Sequence, residues 1–356
     1  MSQYNYAGLV KLALHQIFVT IFTLIKKGFC MKNIALFIAG DENIYFPALV
    51  TIESIKKNNP NVFDFFICFD ADKLSAYMTK TLKKHNINFI DSKSLSNYGI
   101  KEQFQQMKEN IWPVEVFYNY ALPLYLRDKG YKYSCKSDYD VLCINKYEID
   151  DILPKESAIS GWSGIVNLES QGVPNVIIKK LIDNSTIRNK HLDYMNVGFL
   201  LFNNEIYSKL NLLEKYKSFY NFLFENCPDA KLLEQIAFCL LLSSLNGSFI
   251  KLTEDYNHRV LSTRDTDESL NFDTKNIHYI TRCKPWNPLK TGNIKWFASN
   301  GGGCIFAYRN IWLEFAENIE GFEKFCSERK LSSLQLIGLQ MTTTKILESK
   351  IKELRK

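Results

Sequence analysis

Apolar residues recur along the chain with spacings that predict alternating strands and helices. Short apolar runs of buried-strand length occur at 33–39, 63–69 and 87–90. The stretches between them, 46–57 and 73–85, carry apolar residues at helical spacing. A β-α-β-α-β order of this kind is typical of one half of a nucleotide-binding α/β sheet. The pattern therefore predicts a mostly parallel sheet flanked by helices, with ligands at the carboxyl ends of its strands.

The middle and the end of the chain alternate less regularly. An aromatic-rich helix is predicted at 114–126. Further strands are predicted at 131–137, 141–144, 158–162 and 197–202, and further helices at 205–223, 231–242, 310–328 and 331–356. The chain contains no repeat and no low-complexity tract.

The N-terminal segment is apolar but does not have the pattern of a spanning helix. Lys11, His15 and Gln16 interrupt the apolar run at 7–25, and no small-residue cleavage site follows it. An amphipathic or interfacial helix is the favoured interpretation. A second interpretation stays open, in which the natural start is Met31, because the residues from there read as the first strand of an α/β domain.

Composition narrows the classes of function. Hydrophobic residues make up 46% of the chain, enough to bury a large core, and the net charge of +6 is spread among mixed signs. A dedicated nucleic-acid surface is therefore not expected, whereas an anionic small substrate or an acidic membrane surface fits. The nine cysteines form no CxxC pair, and their odd number leaves at least one unpaired. A reduced, cytoplasmic location is expected.

Two aspartates separated by one residue at a strand end are candidate metal ligands. Their side chains point the same way in an extended chain, and their oxygens suit a hard divalent ion such as manganese or magnesium. The motif occurs at Asp70/Asp72, Asp138/Asp140 and Asp265/Asp267. The second copy lies between two strand-like runs, where a buried carboxylate pair needs a compensating cation. We favour a helix N-cap for the first copy and a solvated loop for the third.

Three residues further along the chain are candidates for the same site. His278 is predicted at a strand end, and Lys284 and Trp286 follow it. They are suited to be a metal ligand, a phosphate counter-charge and a ring beside a sugar. The competing interpretation is a structural histidine, a surface lysine and a core tryptophan.

Polar residues also interrupt two apolar segments. Asn196 and Gly198 come at the start of the strand predicted at 197–202, where they either present an amide to a ligand or form a turn. Glu234 and Gln235 interrupt an apolar helix, either as its solvent face or as the wall of a site. The sequence leaves both alternatives open.

Taken in order, these motifs resemble glycosyltransferase family 8, whose members include bacterial lipopolysaccharide galactosyl- and glucosyltransferases and glycogenin. The resemblance runs from about residue 32 to residue 286. It implies a GT-A fold, a UDP-sugar donor, a divalent metal ion and retention of anomeric configuration. We expect an N-terminal extension at 1–30, a catalytic domain at 31–290 and a helical C-terminal region at 291–356.

The resemblance also implies roles for individual residues. The positions that match the family's motifs are Ala39, Asp41, Asn43 and Tyr45 for the nucleotide, Asp138, Asp140 and His278 for the metal, Asn196 and Gly198 for the donor sugar, Gln235 near the anomeric carbon, and Lys284 for the diphosphate.

The sequence departs from the family's pattern at several of its donor-binding positions. The family's phosphate-binding arginine in the helix before the aspartates is absent from 117–123, and Thr281 stands where the family has glycine. Glu234 and Ile236 replace the two aspartates that flank the family's glutamine. Arg282 is a candidate for the missing charge.

The expected function is transfer of a hexose from a UDP-sugar to a lipopolysaccharide or capsule-type glycan. One alternative is a nucleotidyltransferase that makes sugar nucleotides, but the loop at 40–42 is too short and too acidic for that reaction. The other is a non-catalytic carbohydrate-binding protein or scaffold with the same fold. The basic segment at 331–356 is suited to contact the inner membrane leaflet, and packing on the catalytic domain or a dimer contact is the alternative.

Overall fold

The computed structural model describes residues 34–100, 114–260, 271, 273–280, 284–287 and 303–329. Several sequence-based expectations fall outside these residues: the N-terminal helix, the Asp265/Asp267 copy, the roles of Thr281 and Arg282, and the basic helix at 331–356.

Two sheets form the framework. The larger has the strand order β3-β2-β1-β4-β7-β6-β8, and the smaller has the order β5-β10-β9. The strands are β1 (Ile34–Ala39), β2 (Phe63–Phe69), β3 (Ile87–Asp91), β4 (Tyr133–Ser137), β5 (Val141–Cys143), β6 (Ile159–Asn167), β7 (His191–Asn203), β8 (Ile250–Leu252), β9 (His258–Arg259) and β10 (Asn276–His278). Within the larger sheet only β7 runs antiparallel to its two neighbours.

Helices cover the larger sheet on both faces. They are α1 (Tyr45–Asn58), α2 (Ala76–Lys84), α3 (Tyr118–Asp128), α4 (Ile149–Ile152), α5 (Asn175–Asp183), α6 (Asn204–Lys209), α7 (Leu212–Asn226), α8 (Leu233–Ser244), α9 (Gly303–Ala316) and α10 (Phe322–Glu328). Alternate residues of β1 enter separate cores, since Ala35 and Phe37 pack in one and Leu36 and Ile38 in the other. The predicted α/β layer architecture, with a mostly parallel sheet, is confirmed.

The strand predictions are too short where polar residues interrupt a strand. The strand predicted at 197–202 begins at His191, so Asn196 and Gly198 lie inside β7 rather than in a turn. The strand predicted at 158–162 continues to Asn167 as β6, past a β-bulge that shifts its register. A sheet neighbour satisfies the backbone through these polar stretches, and apolar spacing does not report such pairing.

Left-handed residues divide two of the predicted helices. The helix expected at 205–223 is two helices, separated at Asn211, which has φ 53°. The helix expected at 310–328 is likewise divided before Gly321, which has φ 100°. Residues with positive φ end a right-handed helix, because a continuous helix requires negative φ throughout.

The described part of the chain contains no helix with both the length and the apolar character needed to cross a membrane. Six of its cysteines are buried as free thiols: Cys68, Cys135, Cys143, Cys227, Cys239 and Cys326.

Candidate metal centre and adjoining cavity

Three potential metal ligands meet where β4 ends. Asp138, Asp140 and His278 place one ligating atom each within 4.8 Å of one another. The Nε2 of His278 lies 3.2 Å from Oδ1 of Asp140 and 3.5 Å from Oδ2 of Asp138. The convergence expected from the sequence is therefore present in the fold.

Sheet pairing brings these distant residues together. β10 runs antiparallel to β5, with His278 opposite Val141. The backbone N–H of Tyr279 donates to the carbonyl of Asp140 at 2.9 Å, and the N–H of Asp138 donates to the carbonyl of Gly198 at 2.8 Å. The backbone around the two aspartates is thus held by strands from two other parts of the chain.

Lys284 completes the charged cluster from one side. Its ammonium pairs with Oδ2 of Asp140 and lies 4.6 Å from the ring centroid of Tyr139. Trp286, in contrast, does not stand beside a sugar site as expected. It is 2% exposed and packs against Trp312 at 5.0 Å, so the core interpretation of this tryptophan is the correct one.

Lys136 supplies a positive charge that the sequence motifs did not indicate. This buried side chain donates to Oδ1 of Asp138 and to the carbonyl of Val197. It points the same way as Asp138, two residues further along, because side chains alternate in an extended chain. That spacing is the sequence signal that would have identified it.

Electrostatics keep both aspartates ionised. Burial alone would raise the pKa of Asp138, but the Lys136 ammonium and His278 hold it well below its ordinary value. Burial also opposes ionisation of Asp140, and His278 and Lys284 lower its pKa. Burial disfavours the charged form of His278, yet the two carboxylates raise its pKa above the usual range.

The donor set fits a hard divalent ion. Oδ1 of Asp140 is buried and receives no hydrogen bond from the described residues. It faces Nε2 of His278, so either a proton or a cation must lie between them. Two carboxylates and one imidazole suit manganese or magnesium, and binding of the ion would release the histidine proton.

A cavity of about 330 Å³ lies on the side of β7 that carries Tyr194, and none of the three potential metal ligands lines it. The residues that line it are Trp162, Gly164, Ile165, Val166, Gln171, Tyr194, Leu232, Gln235, Ile236, Cys239 and Arg259. The guanidinium of Arg259 lies 3.9 Å from the ring centroid of Trp162. Aromatic rings with a few polar groups are typical of a small-molecule site.

A chain of hydrogen bonds joins the cavity to the metal centre. The hydroxyl of Tyr194 donates to Oε1 of Gln235 at 3.0 Å and accepts from Nδ2 of Asn196 at 3.1 Å. Oδ1 of Asn196 accepts from Nδ2 of Asn257 at 2.8 Å, and Oδ1 of Asn257 lies 2.8 Å from Nδ1 of His278. Neither Tyr194 nor Asn257 was among the candidate residues from the sequence, because neither belongs to a motif of recognisable spacing.

The two polar residues of helix α8 have different environments. Gln235 lines the cavity, so the site-wall interpretation applies to it. Glu234 is buried in the core and accepts a hydrogen bond from the hydroxyl of Tyr120. Neither residue is simply the solvent face of the helix.

The candidate nucleotide-binding residues at the end of β1 and in the loop after it have different environments. Asp41 caps the 3-10 turn Glu42–Ile44 and accepts from both the backbone and the side chain of Asn43. Ala39 ends β1. Tyr45 is buried, and its hydroxyl donates to the carbonyl of Met78 at 3.3 Å. Its ring therefore packs in the core, and its expected role in nucleotide binding stays a prediction.

The first Asp-x-Asp copy is a capping structure. Asp70 accepts from the backbone N–H of Asp72 at 3.0 Å and caps the turn Ala71–Lys73. Both carboxylates also pair with Lys93 on the surface. The predicted N-cap is confirmed here.

Comparisons with known proteins agree with this geometry. The model of the family described as glycosyl transferase family 8 matches residues 35–290. A search of curated proteins finds no match.

Solved structures with a similar fold include three glycosyltransferases. The apo structure of the bifunctional glycosyltransferase WbbM has a TM-score of 0.55 at 13% identity, over 85% of this chain and 52% of WbbM. The galactosyltransferase LgtC in complex with donor and acceptor sugar analogs has a TM-score of 0.52 at 12% identity, over 81% of this chain and 96% of LgtC. The apo form of GlyE from Streptococcus pneumoniae TIGR4 has a TM-score of 0.50 at 15% identity, over 83% of this chain and 63% of GlyE.

Proposed function

The chain belongs to glycosyltransferase family 8 and is a glycosyltransferase with a GT-A fold, and from this we propose that it moves a hexose from a UDP-sugar to a carbohydrate acceptor. The proposed donor site is the cluster of Asp138, Asp140, His278 and Lys284 together with the adjoining cavity. The observation that carries the proposal is the convergence of the three ligands beside a lysine, because a pyrophosphate bound to a divalent ion needs that set of charges.

The chemistry depends on charge that develops as the donor bond breaks. A divalent ion, when bound, would neutralise negative charge on the departing diphosphate. Lys284 is positioned to bind the same diphosphate once Asp140 ligates the ion. Lys136 stays on Asp138 and takes over part of the charge balance that the family's missing arginine would supply.

Retention of anomeric configuration is part of the proposal. No Asp or Glu is among the residues that line the described cavity. A retaining mechanism through a carboxylate nucleophile would need one there. We therefore favour a mechanism in which the departing diphosphate takes the proton of the acceptor hydroxyl, while Gln235 contacts the substrate at the reacting centre.

The experiment that tests this proposal measures UDP binding and UDP-sugar hydrolysis. Calorimetry with UDP should show binding that is strengthened by manganese, and one or more sugars in a panel of UDP-hexoses should be hydrolysed in the presence of the metal. The Asp140→Asn variant should lose roughly hundredfold or more in turnover and should also lose metal-linked UDP binding.

The Asp70/Asp72 copy provides the matched control. Asp72→Asn alters an exposed carboxylate that pairs with Lys93 on the surface, so the kinetics of this variant should equal those of the wild type. Unchanged turnover in Asp140→Asn would remove the metal from the mechanism. A protein that binds UDP equally well with and without manganese and hydrolyses no UDP-sugar would be a scaffold instead.

A further inference from the structure

The backbone N–H of Gly198 sets the direction of the hydrogen-bond chain between the cavity and the metal centre. This N–H donates to Oδ1 of Asn196 at 3.0 Å. A backbone amide is always a donor, so the atom that receives its hydrogen must be the oxygen of the Asn196 amide and not its nitrogen. The donors and acceptors between Asn196 and His278, and the bond from Asn196 to Tyr194, follow from that assignment.

Toward the metal centre, the direction of the hydrogen bonds determines which ring nitrogen of His278 carries a hydrogen. Because Oδ1 of Asn196 is an acceptor, Asn257 must present its Nδ2 to it, at 2.8 Å. Oδ1 of Asn257 then faces Nδ1 of His278, also at 2.8 Å, and can only accept from it. One histidine hydrogen is therefore held on Nδ1, so the proton that a bound ion would displace is the one on Nε2, whose lone pair would then face the ion.

Toward the cavity, the direction determines the orientation of Gln235. Nδ2 of Asn196 donates to the hydroxyl oxygen of Tyr194. The hydroxyl of Tyr194 donates its single hydrogen to Oε1 of Gln235 at 3.0 Å. The two hydrogens of Nε2 take no part in this chain, and Gln235 lines the cavity.

We propose that Gln235 contacts the bound sugar or its departing phosphate as a hydrogen-bond donor through Nε2, with Tyr194 and Asn257 as the positioning residues at the two ends of the chain. Oε1 already accepts from Tyr194, whereas both hydrogens of Nε2 are left for a ligand in the cavity. The proposal deepens the function proposed above and rests on it. It adds which partner of the contact donates the hydrogen bond, and it adds two positioning residues, Tyr194 and Asn257, that the family motifs do not include.

The decisive variant is Gln235→Glu, compared with the wild type at each pH. A carboxylate cannot donate a hydrogen bond, so its turnover relative to wild type should fall roughly hundredfold at pH 8. The relative turnover should recover as the pH is lowered and the carboxyl becomes protonated. Full relative turnover at pH 8, or a glycosyl adduct on the introduced side chain in a mass spectrum, would overturn the donor role.

Tyr194→Phe tests whether the hydroxyl acts through Gln235. In the wild-type background the change should lower kcat about tenfold with little effect on KM, because binding surface is kept while the amide loses its orientation. In a Gln235→Ala background the same change should have almost no effect. Additive losses in the double variant would show that Tyr194 does not position Gln235.

Asn257→Leu tests the metal end of the chain without any turnover measurement. The manganese affinity of the variant, measured by electron paramagnetic resonance, should be about 10–100-fold weaker than that of the wild type. Asn203→Leu is the matched control, because Asn203 is equally buried but bonds only to the carbonyls of Pro154 and Lys155 and the N–H of Ile206. Equal manganese affinity in Asn257→Leu and wild type would overturn the positioning role.

These measurements separate the two proposals. A wild-type protein that binds manganese but hydrolyses no UDP-sugar would contradict the proposed function while leaving the Asn257 result interpretable. A wild-type enzyme with full activity and a Gln235→Glu variant that is equally active at pH 8 would contradict only the inference about the chain.

Discussion

Single acidic side chains near the site differ in charge because their neighbours differ. Asp138 and Asp140 face cations, and these hold the pKa of each carboxyl below its usual value despite burial. Glu234 is also buried, but its nearest partner is the neutral hydroxyl of Tyr120. Burial raises the pKa of Glu234 to about 7, so this acid carries its proton through much of the range in which the aspartates are ionised.

Glu234 should make stability depend on pH in a defined direction. Its folded pKa of about 7 lies above the ordinary value of 4.5, so between these limits the native state binds a proton that the unfolded chain has released. The free energy of unfolding therefore falls as pH rises from about 4.5 to 7, by up to about 3 kcal/mol from this residue. Glu234→Gln should remove that decline.

Urea denaturation of wild type and variant at pH 5 and pH 8 measures the effect. Glu234→Gln should gain stability relative to wild type at pH 8 and gain little at pH 5. Glu225→Gln on α7 is the control, because Glu225 is exposed and should show no such difference. Parallel pH dependence of Glu234→Gln and wild type would mean that the acid is ionised in the native state.

At the scale of elements, the site depends on how closely β7 and β10 approach. The ring of His278 lies directly against Gly198 of β7, and a Cβ at that glycine would be 2.2 Å from Cε1 of the imidazole. Real side-chain atoms do not approach so closely, so only glycine permits this contact. The same glycine donates the N–H that directs the hydrogen-bond chain.

Gly198→Ala should therefore damage the metal centre more than the sheet. The added methyl must push His278 away from the aspartates, and we expect manganese affinity to fall at least tenfold with a loss of about 1–3 kcal/mol in stability. Gly164→Ala on β6 is the control, because its added Cβ meets nothing closer than 3.4 Å. Titration of both variants with manganese checks the prediction, which a wild-type affinity in Gly198→Ala would contradict.

At the scale of the whole molecule, the C-terminal helices hold the segment that carries Lys284. Arg309 of α9 donates to the carbonyl of Lys284 at 3.2 Å and also to the carbonyl of Asn287. Trp312 and Phe325 pack around Trp286 on the same side. Residues beyond the matched family region thus support the diphosphate-binding lysine, which sequence motifs do not reveal.

Arg309→Met should weaken nucleotide binding without removing the metal ligands. Loss of two donors to the Lys284 segment should raise the dissociation constant for UDP with manganese several-fold, while manganese binding alone stays near wild type. Arg329→Met is the control, because Arg329 lies over Phe325 at 5.3 Å at the far end of α10. Calorimetry that finds equal UDP affinity in Arg309→Met and wild type would show that the lysine needs no such support.

Three expectations about the whole chain stay predictions: the domain limits, the cytoplasmic location, and the contact of the segment at 331–356 with anionic lipid. The basic segment and the N-terminal extension lie outside the described residues. Contact with lipid would be seen as co-sedimentation of the protein with anionic vesicles.

The sequence by itself determined the features that depend on neighbours in the chain. Apolar runs located the strands β1, β2 and β3 nearly to the residue. β1 and β2 are buried along almost their whole length, which leaves a continuous apolar signature, whereas the edge strand β3 is only partly buried. Asp138 and Asp140 were recognisable because a strand end directs side chains two apart to the same side.

Only the tertiary structure decided the features that depend on partners distant in the chain. Lys136, Tyr194 and Asn257 enter the site through hydrogen bonds to residues on other elements, and no local spacing marks such partners. Trp286 lies in the core rather than in the site because Trp312 of α9 and Phe325 of α10 pack against it. The spacing of residues along a chain indicates on which face of a helix or strand a side chain lies. The packing of separate helices and strands determines which residues that face contacts.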